Sequence, residues 1–294
     1  MPKTKAVEYA ILTVETDADK ADALAEALEV RWNRTAIQIQ RPNATRTWIE
    51  LYFEKDIEAL LAAHAVRHWP DVLAAQPRVC RGRDWLSFWK HHFKSRPIGQ
   101  RLCIRPVWEK KRAPIKGRKT IWLDPGLSFG TGEHFTTRFC LEQLDRLCGA
   151  RKINSLLDVG TGSGILAIAA AKLGVPRILA FDHDAQALEQ ALANIRRNRV
   201  TPQIRTDVRD LERDAFPKGR FDVVCANVYS RLLIEAAPAL ANATRHHVVL
   251  SGIREAELDS VADAFAAQGG QETVRDGDGE WGGLVFQWIR SSST

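Results

Sequence analysis

The sequence predicts an α/β chain of 294 residues, built as a doubly wound sheet with an antiparallel strand at its C-terminal end and a small α+β domain in front. Three observations predict this. Residues 155–198 read as strand, glycine turn, helix, strand, acidic turn and helix. Strands then go on alternating with helices to the end of the chain, the pattern of a parallel sheet covered on both faces. Residues 1–84 carry a different order, strand–helix–strand–strand–helix, as in a split βαβ unit of ferredoxin-like kind.

Residues 8–14 (EYAILTV) alternate loosely and predict a strand. Residues 18–30 repeat Ala and Leu at helical spacing. Residues 35–40 and 47–53 predict strands with a turn at 42–44, and 56–67 predict a helix limited by Pro70. Nothing in this first domain has the look of a catalytic centre, so a binding or positioning role is expected of it. In residues 84–106, Trp85, Phe88 and Trp89 lie on one helical face with Lys90 and Lys94 outside it. Pro97, Gly99, Pro106 and Pro114 then mark a connector.

Residues 120–137 (TIWLDPGLSFGTGEHFTT) hold a short apolar run, then a glycine loop through Phe129 and Gly130, then His134, Thr136 and Thr137 ahead of a helix. A loop rich in backbone N–H groups and hydroxyls, next to a nucleotide strand, is placed to close over a cofactor. That strand is Ser155–Val159. Gly160, Gly162 and Gly164 follow it, each able to turn sharply and approach a ligand closely. Ile165–Leu173 is apolar nearly all round, as a helix buried against a sheet must be, and Gly174 stops it. Asp182 ends the next strand, about 20 residues beyond the glycine turn, where an acid can accept ribose hydroxyls. A nicotinamide or flavin site would place its third glycine where Ile165 stands, and no P-loop pattern occurs. Residues 221–226 (FDVVCA) predict a buried parallel strand ending at Asn227. Ligands of such sheets sit beyond the carboxyl ends of the strands, where Gly160, Asp182 and Asn227 all fall.

Composition narrows the class. No apolar run approaches the roughly 18 residues of a membrane helix, and the N-terminus lacks the apolar core of a secretory signal. The five cysteines are scattered without a CxxC pair, which fits a reduced, cytoplasmic protein. His64 and His68 share a helix face with no third ligand nearby, so no metal is expected. The net charge is +6, and residues 81–119 are basic with only Asp84 and Glu109 opposing. Such a stripe reads either as a polyanion contact or as a solvated linker.

These stretches resemble the PrmA family of class I methyltransferases, which act on ribosomal protein L11. The carriers are DWLSFWKHHFKSRPIGQRLCIRPVWE from Asp84, LDPGLSFGTGEHFTT from Leu123, LDVGTGSGILAIAA from Leu157, FDHDAQAL from Phe181, ANV from Ala226 and LSGI from Leu250. The chain departs from the family pattern at Phe135, Thr161 and residues 228–230. The resemblance implies a Rossmann-like domain over 119–294 that binds S-adenosylmethionine, a basic helix and connector over 85–118, and a substrate-docking domain over 1–84. It implies that Thr137, Gly160, Asp182 and Asn227 hold the cofactor; Gly162, Phe129 and Gly130 join them from the same turn and loop. It implies L11 as protein substrate, methylated on lysine side-chain or N-terminal amines. Asn227, which ends its strand on the cofactor side, is expected at the transfer centre, its carbonyl oxygen accepting from the incoming amine or from the cofactor's ammonium. Asn227 lacks the Pro-Pro-aromatic sequel usual where planar nitrogens are methylated. A monomer is expected, in the cytoplasm and with rRNA near its basic connector. Two rivals stay open: a methyltransferase of another protein, rRNA or a small molecule, and a non-catalytic ribosome-binding relative.

Overall fold

The computed structural model describes residues 8–32, 34, 36–40, 45–53, 56–81, 94–109, 113, 115–124 and 134–288. The chain forms two compact units, Met1–Phe93 and Lys94–Thr294.

The first unit is a four-stranded antiparallel sheet with two helices. Its strands are β1 (Glu8–Asp17), β2 (Ile37–Gln40), β3 (Arg46–Phe53) and β4 (Ala74–Arg81), in the spatial order β2-β3-β1-β4. Helices α1 (Ala21–Trp32) and α2 (Asp56–Val66) contribute Leu24, Leu28, Ala59, Ala62 and Val66 to a core with Leu12, Val14, Ile49, Leu51 and Phe53 of the strands. The inward residues of β1 and β3 alternate, as the two-residue pleat requires. The other face of the sheet carries a smaller apolar group of Ile11, Tyr52 and Ile37. Strand β4 completes the ferredoxin-like order, and the sequence hid it: AAQPRVCR has no clean alternation and contains Pro77. Proline is tolerated there because β4 is an edge strand. The turn at 42–44 and the aromatic helix expected over 85–93 lie outside the described residues.

The second unit begins with a small sheet, the first two strands of which the sequence reading treated as connector. Strands β5 (Arg96–Ile98), β6 (Leu102–Pro106) and β7 (Lys119–Leu123) pair in that order, the first pair antiparallel and the second parallel. Every residue of β6 is buried, so residues 94–109 are folded parts of this unit. The arginines of the basic stretch explain the disguise. Arg105 is 2% exposed; it donates to Ser95 Oγ and to the carbonyls of Ala113 and Glu109, and lies over the Trp122 ring. Arg118 donates to the carbonyls of Ile98, Gly99 and Leu102. Arg101 pairs with Asp145 at 3.0 Å. Three charges of a stretch that read either as a polyanion contact or as a solvated linker are satisfying backbone carbonyls and a carboxylate inside the unit.

The main sheet has seven strands: β8 (Ser155–Val159), β9 (Arg177–Asp182), β10 (Ile204–Val208), β11 (Phe221–Asn227), β12 (Thr244–Arg254), β13 (Gln271–Gly277) and β14 (Trp281–Gln287). Their spatial order is β10-β9-β8-β11-β12-β14-β13. The strands from β10 to β12 run parallel, while β14 is antiparallel to both of its neighbours. Helices α3 (Phe135–Ala150), α4 (Ile165–Leu173), α5 (Ala185–Asn198), α6 (Ser230–Ala243) and α7 (Leu258–Ala266) cover the faces. Leu157, Val159, Val224, Ala226, Val248 and Leu250 turn one face into the core with α6 and α7. Gly283 lets β14 lie against α3: a Cβ there would come within 2.3 Å of the Phe139 ring. The doubly wound sheet and its antiparallel C-terminal strand are as the sequence predicts.

Candidate active site

The site lies where β8, β9 and β11 end. After Val159 the chain makes three left-handed glycine steps, Gly160 (φ +67°), Gly162 (φ +52°) and Gly164 (φ +79°). Side-chain-bearing residues rarely adopt these angles. Gly160 meets a second demand: a Cβ there would lie 2.6 Å from Val228 Cγ1, so the turn after β11 packs directly over the turn after β8. Helix α4 starts straight from this turn with Gly164 as its N-cap.

Asp182 closes the turn from the side. Its Oδ2 accepts from the Gly162 N–H at 2.8 Å and its Oδ1 from the Asp184 N–H at 3.1 Å. A carboxylate offers about four lone-pair directions, so each oxygen keeps capacity for a hydroxyl donor. Asp158, one residue before the end of β8, is fully buried. Its Oδ2 accepts from Thr161 Oγ1 at 2.6 Å and from the Ala167 N–H at 3.1 Å. Its carboxyl is pushed up to about 6, by burial first and in smaller part by the Asp182 charge, against the downward pull of the Thr161 and Ala167 hydrogen bonds.

Asn227 ends β11. Its Nδ2 lies 3.5 Å from Thr137 Oγ1 on α3, and its Oδ1 is buried without a protein partner. Ser230 Oγ, three residues on, is likewise buried and unpartnered. The turn between them is fixed by the Val228 N–H donating to the Ser251 carbonyl, and by Gly252, whose missing Cβ leaves room for the Val228 backbone at 2.7 Å. Thr137 is placed by the start of α3. There His134 is the N-cap and accepts from the Thr136 N–H. The His134 ring packs edge-on to Trp281 at 5.3 Å, and Arg254 covers Trp281 at 4.4 Å. Burial holds the His134 imidazole below its usual range, partly offset by Asp278. Strand β7 is moored to α5 by side chains: Asn198 exchanges two hydrogen bonds with the Trp122 backbone, and Asn194 accepts from the Asp124 N–H.

The structure thus brings Gly160, Gly162 and Asp182 together in one turn, joins Thr137 to Asn227, and links the two sets through Val228 over Gly160. Phe129 and Gly130 lie outside the described residues. The sequence reading did not place Asp158, Ser230 or Trp281 at the site. For Asp158 there was a signal, an acid in the otherwise apolar strand SLLDV. For Ser230 and Trp281 there was none, since each owes its place to the packing of distant elements.

The arrangement suits a nucleoside cofactor carrying positive charge. Asp182 has acceptor capacity for ribose hydroxyls beside a turn of backbone N–H groups. Buried Asn227 Oδ1 and Asp158 Oδ1 lack donors, and the N–H groups of an amine or an ammonium can supply them. Among the described residues there is no cluster of His, Cys, Asp and Glu fit for a metal ion. Strand order, glycine turn and acidic strand end together define a class I methyltransferase dependent on S-adenosylmethionine.

The comparisons carry this to a particular family. Residues 7–288 match the ribosomal protein L11 methyltransferase (PrmA) family. The chain is 37% identical over 254 residues to the ribosomal protein L11 methyltransferase of Pelobacter propionicus, covering 81% of each chain. It is 33% identical over 287 residues to that of Myxococcus xanthus, covering 93% of this chain and 96% of the relative. The crystal structure of ribosomal protein L11 methylase from Lactobacillus delbrueckii subsp. bulgaricus superposes with a TM-score of 0.60 at 32% identity, covering 67% of this chain and 100% of that one. The chain belongs to the PrmA family.

Proposed function

We propose that this protein transfers methyl groups from S-adenosylmethionine to lysine side-chain or N-terminal amines of ribosomal protein L11. The observation that carries the reading is Asn227: an amide oxygen buried and unpartnered at the end of β11, beside the glycine turn. The cofactor supplies a methyl group on a sulfonium. Gly160, Gly162, Asp182 and Thr137 hold and orient it; Phe129 and Gly130 carry the same assignment from their place in the glycine loop of the sequence alone. Asn227 Oδ1 accepts an N–H from the incoming amine and so aims its lone pair. A free lysine has a pKa near 10.4, and desolvation in the site lowers it and releases the lone pair. No separate strong base is then needed.

The first unit docks the protein substrate in this reading, and the open face of its sheet suits the role. A groove of about 500 Å³ there is bordered by Ile39, Trp48, Glu50, Gln76 and Arg78. The buried Glu50 carboxylate accepts from Tyr52 Oη at 2.8 Å and pairs with Arg78 at 3.0 Å. The reading takes the protein as a cytoplasmic monomer. It gives the rRNA alternative less weight, because Arg101, Arg105 and Arg118 already have internal partners. Labelled cofactor offered with purified L11 and, separately, with stripped rRNA is the test. Label in L11 alone is expected; label in rRNA alone would overturn the reading.

A further inference from the structure

The two ends of the main sheet differ in how their charges are matched. At the carboxyl ends, where the site lies, Arg209, Arg213, Arg231 and Arg254 each pair with a carboxylate. At the amino ends the cations stand without such partners. Arg151 and Lys152 lead into β8, Arg177 opens β9, Lys172 is near the end of α4, Arg199 follows α5, and Arg146 is near the end of α3. All are exposed except the half-buried Lys172, and among the described residues none of the six has a carboxylate partner. Asp222 is the one carboxylate among the described residues at the starts of β8 to β12. The Arg245 guanidinium and the Asn154 N–H already occupy it.

Neighbouring groups register the positive field. Burial first, and then Arg151, pulls the His246 and His247 imidazoles down. Burial and then Arg199 do the same to the Lys172 ammonium. Helix ends account for part of the pattern. Helices α3, α4 and α5 all finish at this edge, and each C-terminus carries about half a negative elementary charge. Three such ends offset roughly one and a half of the six positive charges. The cations also frame a hollow. A cleft of about 400 Å³ is bordered by residues 148–153 and 173–175. Arg151 and Lys152 line one wall, and Lys172 and Arg177 flank the other in sequence. Such a cleft suits a phosphodiester, which takes charge-assisted bonds from several cations at once.

The surroundings of the cleft narrow the polyanion. Among the described residues no large apolar or aromatic side chain is exposed at these strand starts and helix ends; Tyr229, an exposed aromatic, is at the other end of the sheet. A platform for stacking the bases of a single strand is therefore missing, and so is the apolar face that seats a protein on a membrane. Backbone charge is what remains, the feature by which double-helical RNA is bound. The choice of RNA over an acidic protein rests on the ribosomal substrate of the proposed function. Strand β8 spans five residues, so this edge is roughly 17 Å from the glycine turn. RNA held there is out of reach of the transfer centre and serves as an anchor, not a substrate. We propose that the amino edge of the main sheet binds the phosphate backbone of double-helical RNA, while the opposite end of the sheet transfers methyl groups to protein.

The test is fluorescence anisotropy of the full chain with a labelled RNA duplex of about 16 base pairs, repeated across a salt series. At about 100 mM salt a Kd of about 1–10 µM is expected, with log Kd rising against log salt at a slope of about 3–5 for four to six phosphate contacts. Arg151→Glu should weaken binding at least about tenfold and lower the slope by about one. Lys152→Glu should do the same and replaces Arg151→Glu if thermal unfolding shows that variant misfolded. Arg213→Glu, an equal charge change at the carboxyl end, should leave binding within about twofold of wild type. No binding at 10 µM protein or below, on the order expected for backbone contacts, or equal losses in the Arg151 and Arg213 variants, would overturn the proposal. A single strand of the same length should bind more weakly; tighter binding would overturn the choice of a double helix. Polyglutamate or phosphatidylserine vesicles held as tightly as the duplex would overturn the choice of RNA. Methylation of free L11 is measured beside this and should be unchanged in Arg151→Glu. The two readings fail separately: absent label in L11 overturns the methyl-transfer reading, and absent RNA binding overturns only this one.

Discussion

Replacing Asp182 separates two jobs that the structure gives one side chain. Asp182 is 7% exposed, and its carboxylate takes the Gly162 and Asp184 N–H groups at 2.8 and 3.1 Å. In Asp182→Ala both backbone donors lose their partner. Each buried donor left unsatisfied costs about 1–3 kcal/mol, so the empty protein should lose roughly 2–4 kcal/mol once water has partly repaired the gap. The ribose hydroxyls lose a charged acceptor as well, about 1.5–3 kcal/mol for each bond, so cofactor affinity should fall at least about tenfold. Asp182→Asn divides the effects. Its amide oxygen can still take the Gly162 N–H, but its NH2 faces Asp184 N–H donor to donor and no longer accepts. Its stability loss should be about half that of alanine, while affinity still falls about tenfold. Thermal unfolding reads the first effect and calorimetry the second. Wild-type affinity in a folded Asp182→Ala protein would refute the cofactor assignment. Wild-type stability would refute the role in closing the turn.

Asn227→Ala should lower turnover on L11 by at least about tenfold, the scale of one lost hydrogen bond to a reacting group, while shifting the unfolding midpoint little, because the lost amide oxygen had no partner to leave behind; single-turnover kinetics beside thermal unfolding decide this, and unchanged turnover would remove Asn227 from the transfer centre. A fragment starting at Lys94 should fold and bind S-adenosylmethionine yet show a much reduced kcat/KM on L11, whereas one starting at Lys119 should unfold because it lacks β6, the buried partner of β7. Equal kcat/KM in the Lys94 fragment and the full chain would take docking away from the first unit. His247 is 7% exposed with an unpartnered Nδ1, and burial pulls its imidazole down to about 4. Its folded value lies below the unfolded value of about 6.5. The contribution is therefore complete above about pH 6.5 and is lost as pH falls from there to about 4, on the order of 3 kcal/mol in all. Urea unfolding of the wild type and His247→Phe across that window should show a shallower slope in the variant, and parallel slopes would exclude this origin.

Legibility in the sequence followed how local each cause is. The glycine turn was readable because its demands are backbone demands: positive φ at Gly160, Gly162 and Gly164 can be met by few other residues. The buried strands β8 and β11 were readable as continuous apolar runs. Strand β4 was not, because its edge position tolerates the proline and polar residues that speak against a strand. Strands β5 and β6 were missed because Pro97 and Pro106 lie within them and Gly99 between them, and because Arg105 looks like surface. A buried arginine looks the same in sequence as a solvated one, and only the carbonyls around it reveal the difference.

The same limit applies to the site, and it marks where motif reading must give way to geometry. A motif names residues whose chemistry is local to the chain, as Asp182 follows its strand and Gly160 its turn. The acceptors without donors are not local. Asn227 Oδ1 and Asp158 Oδ1 come from strands 69 positions apart in sequence (227 − 158), and Thr137 reaches Asn227 across 90 positions. Each alone reads as a strand-end turn residue or an oddly placed acid. Only the parallel pairing of β8 with β11, in the register Asp158 to Cys225, puts Asp158 and Asn227 on one face of adjacent strands. Buried acceptors left open in an otherwise well-satisfied sheet destabilise the empty protein. A ligand that brings donors and positive charge recovers that cost on binding. The chemistry of the missing partner can therefore be read from the defect it corrects.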